Sequence, residues 1–390
     1  MSTVINFEMS RVRQVIQGPG ARNRLGDAIR ESGGHRAMLI TGRSLGADAI
    51  FEALVQELGP LCVGTFREIQ AHNPVNVLVD LIARSRESEA DMYVGVGGGS
   101  PIDAAKFAAL GVLEGITDPK ALAEYAVHFE YPDKEWVKPL SGRPAPVIAI
   151  PTTLSAAEWD GFAGSVDHER GVKDVSRYLE LTPALVILDP EIAARTPREL
   201  WAQTGVRALD HAIETLYARN AHPFTSALSI GALQLLGSHL ERSVQDAMDL
   251  VAAQQCQTAA WMSIVGVHNV SLGLSHAIGH QLGALGVPHG ATSCIMLPHV
   301  MRFLAPATVE EQRRIAQALD PELAAGGVAA ADIVERLLVR LEVPRRVSDF
   351  GVPRDRMELI AEATLGDVVA RESPVPVDRA AIVALLEQAW

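Results

Sequence analysis

The residues of this chain with the most chemical potential are histidines in two segments of its second half. One segment reads Gly205-Val206-Arg207-Ala208-Leu209-Asp210-His211-Ala212-Ile213-Glu214, and the other runs from Ser271 through His276 and His280 to His289. Imidazoles can ligate a metal or carry a proton near neutral pH. In the first segment Val206, Leu209, Ile213 and Leu216 form an apolar stripe. Arg207, His211 and Glu214 therefore share another face, which could line a cleft or meet solvent, the latter as a plain Arg207–Glu214 surface pair. The second segment is apolar almost all round, with Gly273, Gly279 and Gly283 marking a closely packed, buried helix. His276 and His280 stand one turn apart on it, and burying both unpaired would be costly, so they point to a common function. The string H-A-I-G-H lacks the glutamate of a zinc-protease helix, which removes that chemistry.

A second candidate site lies earlier. Met92–Val96 is an apolar run leading into Gly97, Gly98, Gly99 and Ser100, followed by Pro101-Ile102-Asp103-Ala104-Ala105-Lys106. Ser100 is expected at the N-cap, Pro101 at the first helical position and Asp103 as a capping-box carboxylate reaching back. Three glycines before a helix let backbone N–H groups approach a pyrophosphate, although a plain tight turn has the same spelling. Pro151-Thr152-Thr153-Leu154-Ser155 follows another apolar run, and its hydroxyls could donate to phosphate oxygens or cap a turn.

The elements that must position these groups fall into two kinds. Residues 37–41, 92–96, 146–150 and 184–188 are continuous apolar runs separated by amphipathic stretches, the pattern of a parallel α/β sheet buried on both faces. Beyond Pro190 the periodicity is helical, and helices are expected near 197–218, 224–242, 246–266, 268–284, 292–304, 308–319, 329–341 and 378–388. The expected organisation is a Rossmann-like dinucleotide-binding domain over 1–190 and an all-helical catalytic domain over 191–390, packed around a shared cleft.

Composition narrows the function classes. A formal charge of −13 opposes general attraction to nucleic acid or anionic lipid. Cys62, Cys256 and Cys294 form neither a disulfide framework nor a thiolate zinc site, which suits a reducing cytoplasm. Residues 1–13 carry polar groups throughout and no apolar run reaches spanning length, so neither a targeting peptide nor a membrane segment is expected.

GGGSPIDAAK and SHAIGHQLGALGVPHGATSCIMLPHVM resemble the dinucleotide-binding and metal-site motifs of the iron-containing alcohol dehydrogenase superfamily, in that family's order over nearly the whole chain. The resemblance implies a dehydroquinate synthase-like architecture, an NAD or NADP cofactor, a small-molecule substrate and a homodimer. It places His211, His276 and His289 at metal-ligand positions and His280 at the position proposed for proton transfer near the nicotinamide. His299 falls outside the cluster. It also sets Gly97 to Ser100, Asp103, Thr152, Thr153 and Ser155 along the cofactor. Where NAD-preferring relatives carry Asp, this chain has Gly42 then Arg43, which admits a 2′-phosphate and thus NADP.

One position departs from the pattern. Metal-dependent members present Asp, with His four residues on; this chain presents Arg207 and His211. A guanidinium cannot ligate a cation and repels one, which argues against tightly bound iron or zinc. Asp210 points about 100° away from its neighbour on an ideal helix and is expected to be a poor substitute ligand. Both the missing acid and the one-residue-shorter Pro151–Glu158 segment resemble the maleylacetate reductase branch. Arg207 is then expected to polarise a carbonyl or to bind a substrate carboxylate. A metal-dependent polyol or polyol-phosphate dehydrogenase, a zinc-dependent lyase and a non-catalytic dinucleotide sensor are the rival readings. Trp159, Asp160 and Trp201 could shape a pocket or pack in the core.

Overall fold

The structure is a computed structural model that describes residues 7–130, 134–267 and 269–390. It divides into two compact units, one of Ser10–Arg195 and the other of residues 7–9 with Thr196–Trp390.

The first unit is built on a six-stranded parallel sheet. Its strands are β1 (Gln14–Gln17), β2 (Ala37–Gly42), β3 (Cys62–Ile69), β4 (Met92–Gly97), β5 (Val147–Pro151) and β8 (Leu185–Leu188), in the order β1-β8-β5-β4-β2-β3. An antiparallel hairpin, β6 (Phe162–Asp167) and β7 (Val172–Arg177), is inserted before the last strand. Successive side chains of the central strands pack on opposite faces. Met38, Ile40 and Tyr93 meet Leu78, Leu81, Ile82 and Phe107 of α3 (Val75–Glu87) and α4 (Gly99–Leu113). Leu39, Met92, Val94 and Ile150 meet Leu25, Ile29, Phe51 and Leu54 of α1 (Leu25–Glu31) and α2 (Ala49–Leu58). Two covered faces explain why those strands read as unbroken apolar runs. The edge strands β1 and β3 are only half-buried and carry polar residues, so they were not among the expected runs.

From β2 the chain runs outward to β3, then returns to β4 and proceeds to β5 and β8 on the other side. The switch point between β2 and β4 is where open α/β sheets bind ligands, beyond the carboxyl ends of the strands.

The second unit is helical: α5 (Arg198–Tyr217), α6 (Pro223–Gln245), α7 (Leu250–Ile264), α8 (Leu274–Ala284), α9 (His289–Leu304), α10 (Val309–Leu319), α11 (Ala330–Leu341), α12 (Met357–Leu365) and α13 (Arg379–Gln388), with shorter turns between them. Eight of these correspond to expected helices, and α12 was not anticipated. The expected start of the 268–284 helix at residue 268 lies outside the described residues, as do residues 1–6 of the N-terminal stretch. Among the described residues α8 begins at Leu274, after the extended Gly273. No helix among them is long and apolar enough to cross a membrane. The three cysteines are free thiols.

Candidate active site

In the first unit, three sequence-predicted segments lie beyond the ends of adjacent strands. Gly42 and Arg43 follow β2, the glycine turn follows β4, and Thr152 to Ser155 follow β5. Gly97 stands opposite Pro151 in the sheet register, and Thr152 N–H donates to Gly97 O at 2.8 Å. Gly97 has φ +141°, a conformation that favours glycine, and a Cβ there would meet the Pro101 ring at 2.9 Å. A Cβ on Gly98 would lie 3.2 Å from the Thr153 methyl, and one on Gly99 would lie 3.4 Å from Ser155 Oγ. The threonine segment thus packs directly on the glycine turn, and Thr153 Oγ1 donates to Ser155 Oγ at 3.1 Å.

The expected capping pattern is corrected. Gly98, not Ser100, is the N-cap of α4, and no side chain caps that helix. Ser100 Oγ accepts from His72 N–H at 3.2 Å. Asp103 does not reach back to the cap: it accepts from Gly164 N–H at 3.0 Å and pairs with Lys106 at 3.3 Å. The fully buried Lys106 ammonium also donates to Ala157 O at 2.7 Å and Phe162 O at 2.5 Å, tying the chain after the threonines to α4. Burial raises the pKa of nearby Glu158 to about 8. Neither residue was singled out in the sequence, because their role depends on a loop folding back some fifty positions away. Arg43 is exposed.

In the second unit the histidine segments become α5, α8 and the start of α9. Both faces of α5 are buried, so the face carrying His211 and Glu214 does not meet solvent. The surface-pair expectation for Arg207 and Glu214 is therefore overturned. Glu214 is fully buried and caps α8 from another helix. Its Oε2 accepts from Gly273 N–H at 2.7 Å and its Oε1 from Ser275 N–H at 2.7 Å. The same Oε2 shares a 2.7 Å hydrogen bond with His276 Nδ1. A carboxylate at a helix N-terminus satisfies orphan N–H groups and the dipole together.

Asp210, expected to point away, belongs to the same cluster. Ser275 Oγ donates to its Oδ2 at 2.8 Å, and His276 Nδ1 lies 3.5 Å from it. The correction is geometric: Arg207, Asp210, His211 and Glu214 are spaced i, i+3, i+4 and i+7, so they share one face of α5, and Asp210 and His211 both border His276. Burial raises Asp210 to about 6, opposed by the Arg207 charge. Burial and Asp210 raise Glu214, against the backbone N–H groups it accepts.

Arg207, mostly buried, donates from Nη1 to Ser293 Oγ at 3.2 Å. Burial and the Arg207 charge hold His211 well below its ordinary pKa, and the same two causes act on His276. Their rings stack at 5.0 Å. The three glycines of the α8 segment are all points of close approach. Added Cβ atoms would meet Glu214 Oε1 at 2.8 Å (Gly273), Thr292 Oγ1 at 2.8 Å with Arg207 Nη1 at 3.9 Å (Gly279), and His289 Cε1 at 3.3 Å (Gly283). His280 and His289 lie edge to face at 6.1 Å.

Among the described residues, the group whose possible ligand atoms all converge within 4.8 Å is Asp210, Glu214 and His276, not His211, His276 and His289. Glu214, Asp210 Oδ2 and His276 Nδ1 are already bonded to one another or to the start of α8, whereas Asp210 Oδ1 and His276 Nε2 are buried without a hydrogen-bond partner among the described residues, and a guanidinium stands beside them. A divalent ion held by all three residues would have to displace Glu214 from the α8 cap. Trp201 is a core residue whose indole donates to Ser243 Oγ at 2.9 Å, and Trp159 is buried.

The first unit thus carries a glycine turn at the switch point of its sheet, and the second gathers imidazoles beside one guanidinium. Residues 13–190 match the family model for iron-containing alcohol dehydrogenase, and 201–390 match that for the C-terminal part of the Fe-containing alcohol dehydrogenase family. The chain belongs to the iron-containing alcohol dehydrogenase family. It is 31% identical to the dehydrogenase ALT3 of Alternaria alternata, over 92% of this chain and 99% of that one. It is 30% identical to the NAD-dependent methanol dehydrogenase of Bacillus methanolicus, over 92% and 93%. The solved maleylacetate reductase of Agrobacterium tumefaciens superposes with a TM-score of 0.82 at 26% identity, covering 100% of this chain and 99% of that one.

Proposed function

We propose that this oxidoreductase transfers a hydride between a nicotinamide cofactor and a small carbonyl or alcohol without a tightly held divalent ion. The observation that carries the reading is Arg207. Its guanidinium stands beside two imidazoles whose pKa values its charge lowers and beside the Asp210–Glu214 cluster, and at that guanidinium a cation is repelled and a polarised oxygen or a carboxylate attracted. The residue range 1–190 holds the cofactor in this reading, and 191–390 does the chemistry. Gly97 to Ser100 with Thr152, Thr153 and Ser155 cradle the pyrophosphate, whose charge suits the uncapped start of α4. A relative named for NAD dependence supports the cofactor class. Gly42 with the exposed Arg43 beyond β2 favours NADP.

In carbonyl reduction a bound nicotinamide would supply the hydride, and Arg207 would stabilise the charge growing on oxygen. His280 supplies the proton, with His276, His211 and His289 shaping the wall around it. The substrate bears a carboxylate in the form of this reading that Arg207 favours most. Reduction of maleylacetate to 3-oxoadipate is its specific version, supported by the likeness to a maleylacetate reductase. A cytoplasmic homodimer completes the proposal.

The test is metal analysis of the purified protein beside NADH and NADPH oxidation with a panel of aldehydes, ketones and maleylacetate. Turnover that survives a chelator, with far less than one ion per chain, is expected. Stoichiometric zinc or iron whose removal abolishes turnover would refute the metal-free part. Absence of NAD(P)H consumption across the panel would count against the hydride-transfer reading itself.

A further inference from the structure

The helical unit holds a second imidazole–carboxylate pair, and it differs from the first in one respect. His276 Nδ1 faces Glu214 in a site with no solvent access. His280, one turn along α8, has its Nδ1 2.8 Å from Asp367 Oδ2, and its side chain is 38% exposed. Asp367 lies 87 residues later in the chain, just after α12, and its side chain is mostly covered. Its own position is fixed from two sides: Oδ1 accepts from Val369 N–H at 3.1 Å, and Gln281 Nε2 donates to Oδ2 at 3.4 Å.

We propose that Asp367 is the positioning residue for His280, fixing its tautomer and ring orientation for proton exchange with the substrate oxygen. This rests on the reading of His280 as the proton carrier given above. A carboxylate accepting from Nδ1–H leaves the lone pair on Nε2, and it stabilises the imidazolium formed when Nε2 takes a proton. The step balances in both directions. In reduction a bound reduced nicotinamide would supply hydride to the carbonyl carbon, the C=O π pair would move to oxygen, and Nε2–H of the His280 imidazolium would give its proton to that oxygen. The neutral ring would then be reprotonated from solvent. In oxidation Nε2 would accept the hydroxyl proton while a bound oxidised nicotinamide would take the hydride from carbon. His276 cannot serve in this way because solvent does not reach it, whereas His280 combines an orienting acid with an open side.

The experiment compares wild type, Asp367→Asn, Asp367→Glu and His280→Ala with the most active carbonyl of the panel and NADPH. It also records the 15N signals of the His280 ring in the substrate-free protein. Asn retains the Val369 cap, so the fold is kept. The expected result is a fall in kcat of about 100-fold or more in Asp367→Asn, with KM for NADPH within about twofold. Its ring signals should shift from a single Nδ1–H tautomer to a mixture. Asp367→Glu, which keeps the carboxylate, should recover the tautomer and part of the rate. An unchanged kcat and unchanged ring signals in Asp367→Asn, while His280→Ala is inactive, would leave Asp367 a helix cap alone and overturn the proposal. A fully active His280→Ala would instead remove the proton-carrier reading on which it stands.

Discussion

Replacing Arg207 with Met keeps an unbranched stem, two atoms shorter, and deletes the charge, which makes it a direct probe of the acidic cluster. In the parent protein burial already raises Asp210 from 3.8 to about 6, with Arg207 opposing the rise. A shift of about two units corresponds to about 3 kcal/mol of stability. The sign follows from proton binding: the folded state holds this proton more tightly than the unfolded chain does. Stability from this group is therefore full below pH 3.8 and is lost as pH rises through about 6, after which it is flat. Removing the guanidinium takes away the charge that lowers Asp210, so the folded pKa climbs further and the loss continues to higher pH. One to two additional units amount to about 1–3 kcal/mol, or about 3–10 °C in Tm for a unit of this size. Thermal melts of both proteins should nearly coincide at about pH 4 and diverge up to about pH 8. In the carbonyl assay, loss of the oxygen-stabilising donor should lower kcat about 100- to 1000-fold. Melting curves separated by the same interval at every pH would refute the electrostatic account, and an undiminished kcat would refute the catalytic one.

Two further outcomes follow from the geometry. Gly273→Ala places a methyl where Glu214 Oε1 is 2.8 Å away, so the α8 cap should be displaced at a cost of about 1–3 kcal/mol, read as a lower Tm. A variant melting with the parent would mean the carboxylate does not hold the helix. Arg43→Ala should raise KM for NADPH about tenfold while leaving NADH nearly unaffected; equal changes for both would discard the 2′-phosphate role.

What could be read from the sequence depended on how far apart the interacting residues lie. The central strands were legible because burial on both faces leaves an apolar run, as in Met92–Gly97, whereas the polar edge strand Gln14–Gln17 carries no such mark. Helix period placed α5, α8 and α9, and motif resemblance marked their histidines. It did not show that Asp210 turns toward His276, since that depends on the crossing of two helices rather than on spacing within one. Ser100 was expected at the N-cap on local grammar, but the glycine turn starts the helix two residues earlier and releases the hydroxyl to His72. Asp367 was not singled out in the sequence, because its imidazole partner lies 87 residues away.

The glycines at 273, 279 and 283 bear on how such a centre comes into being. Each seats a neighbouring side chain against α8, and the positive charge among those side chains is part of the polypeptide. In the metal-free reading proposed above, a centre whose cation is covalently attached is complete once its helices dock, with no loading step to await. Its activity would then follow the amount of folded protein in the cell and would be indifferent to metal starvation.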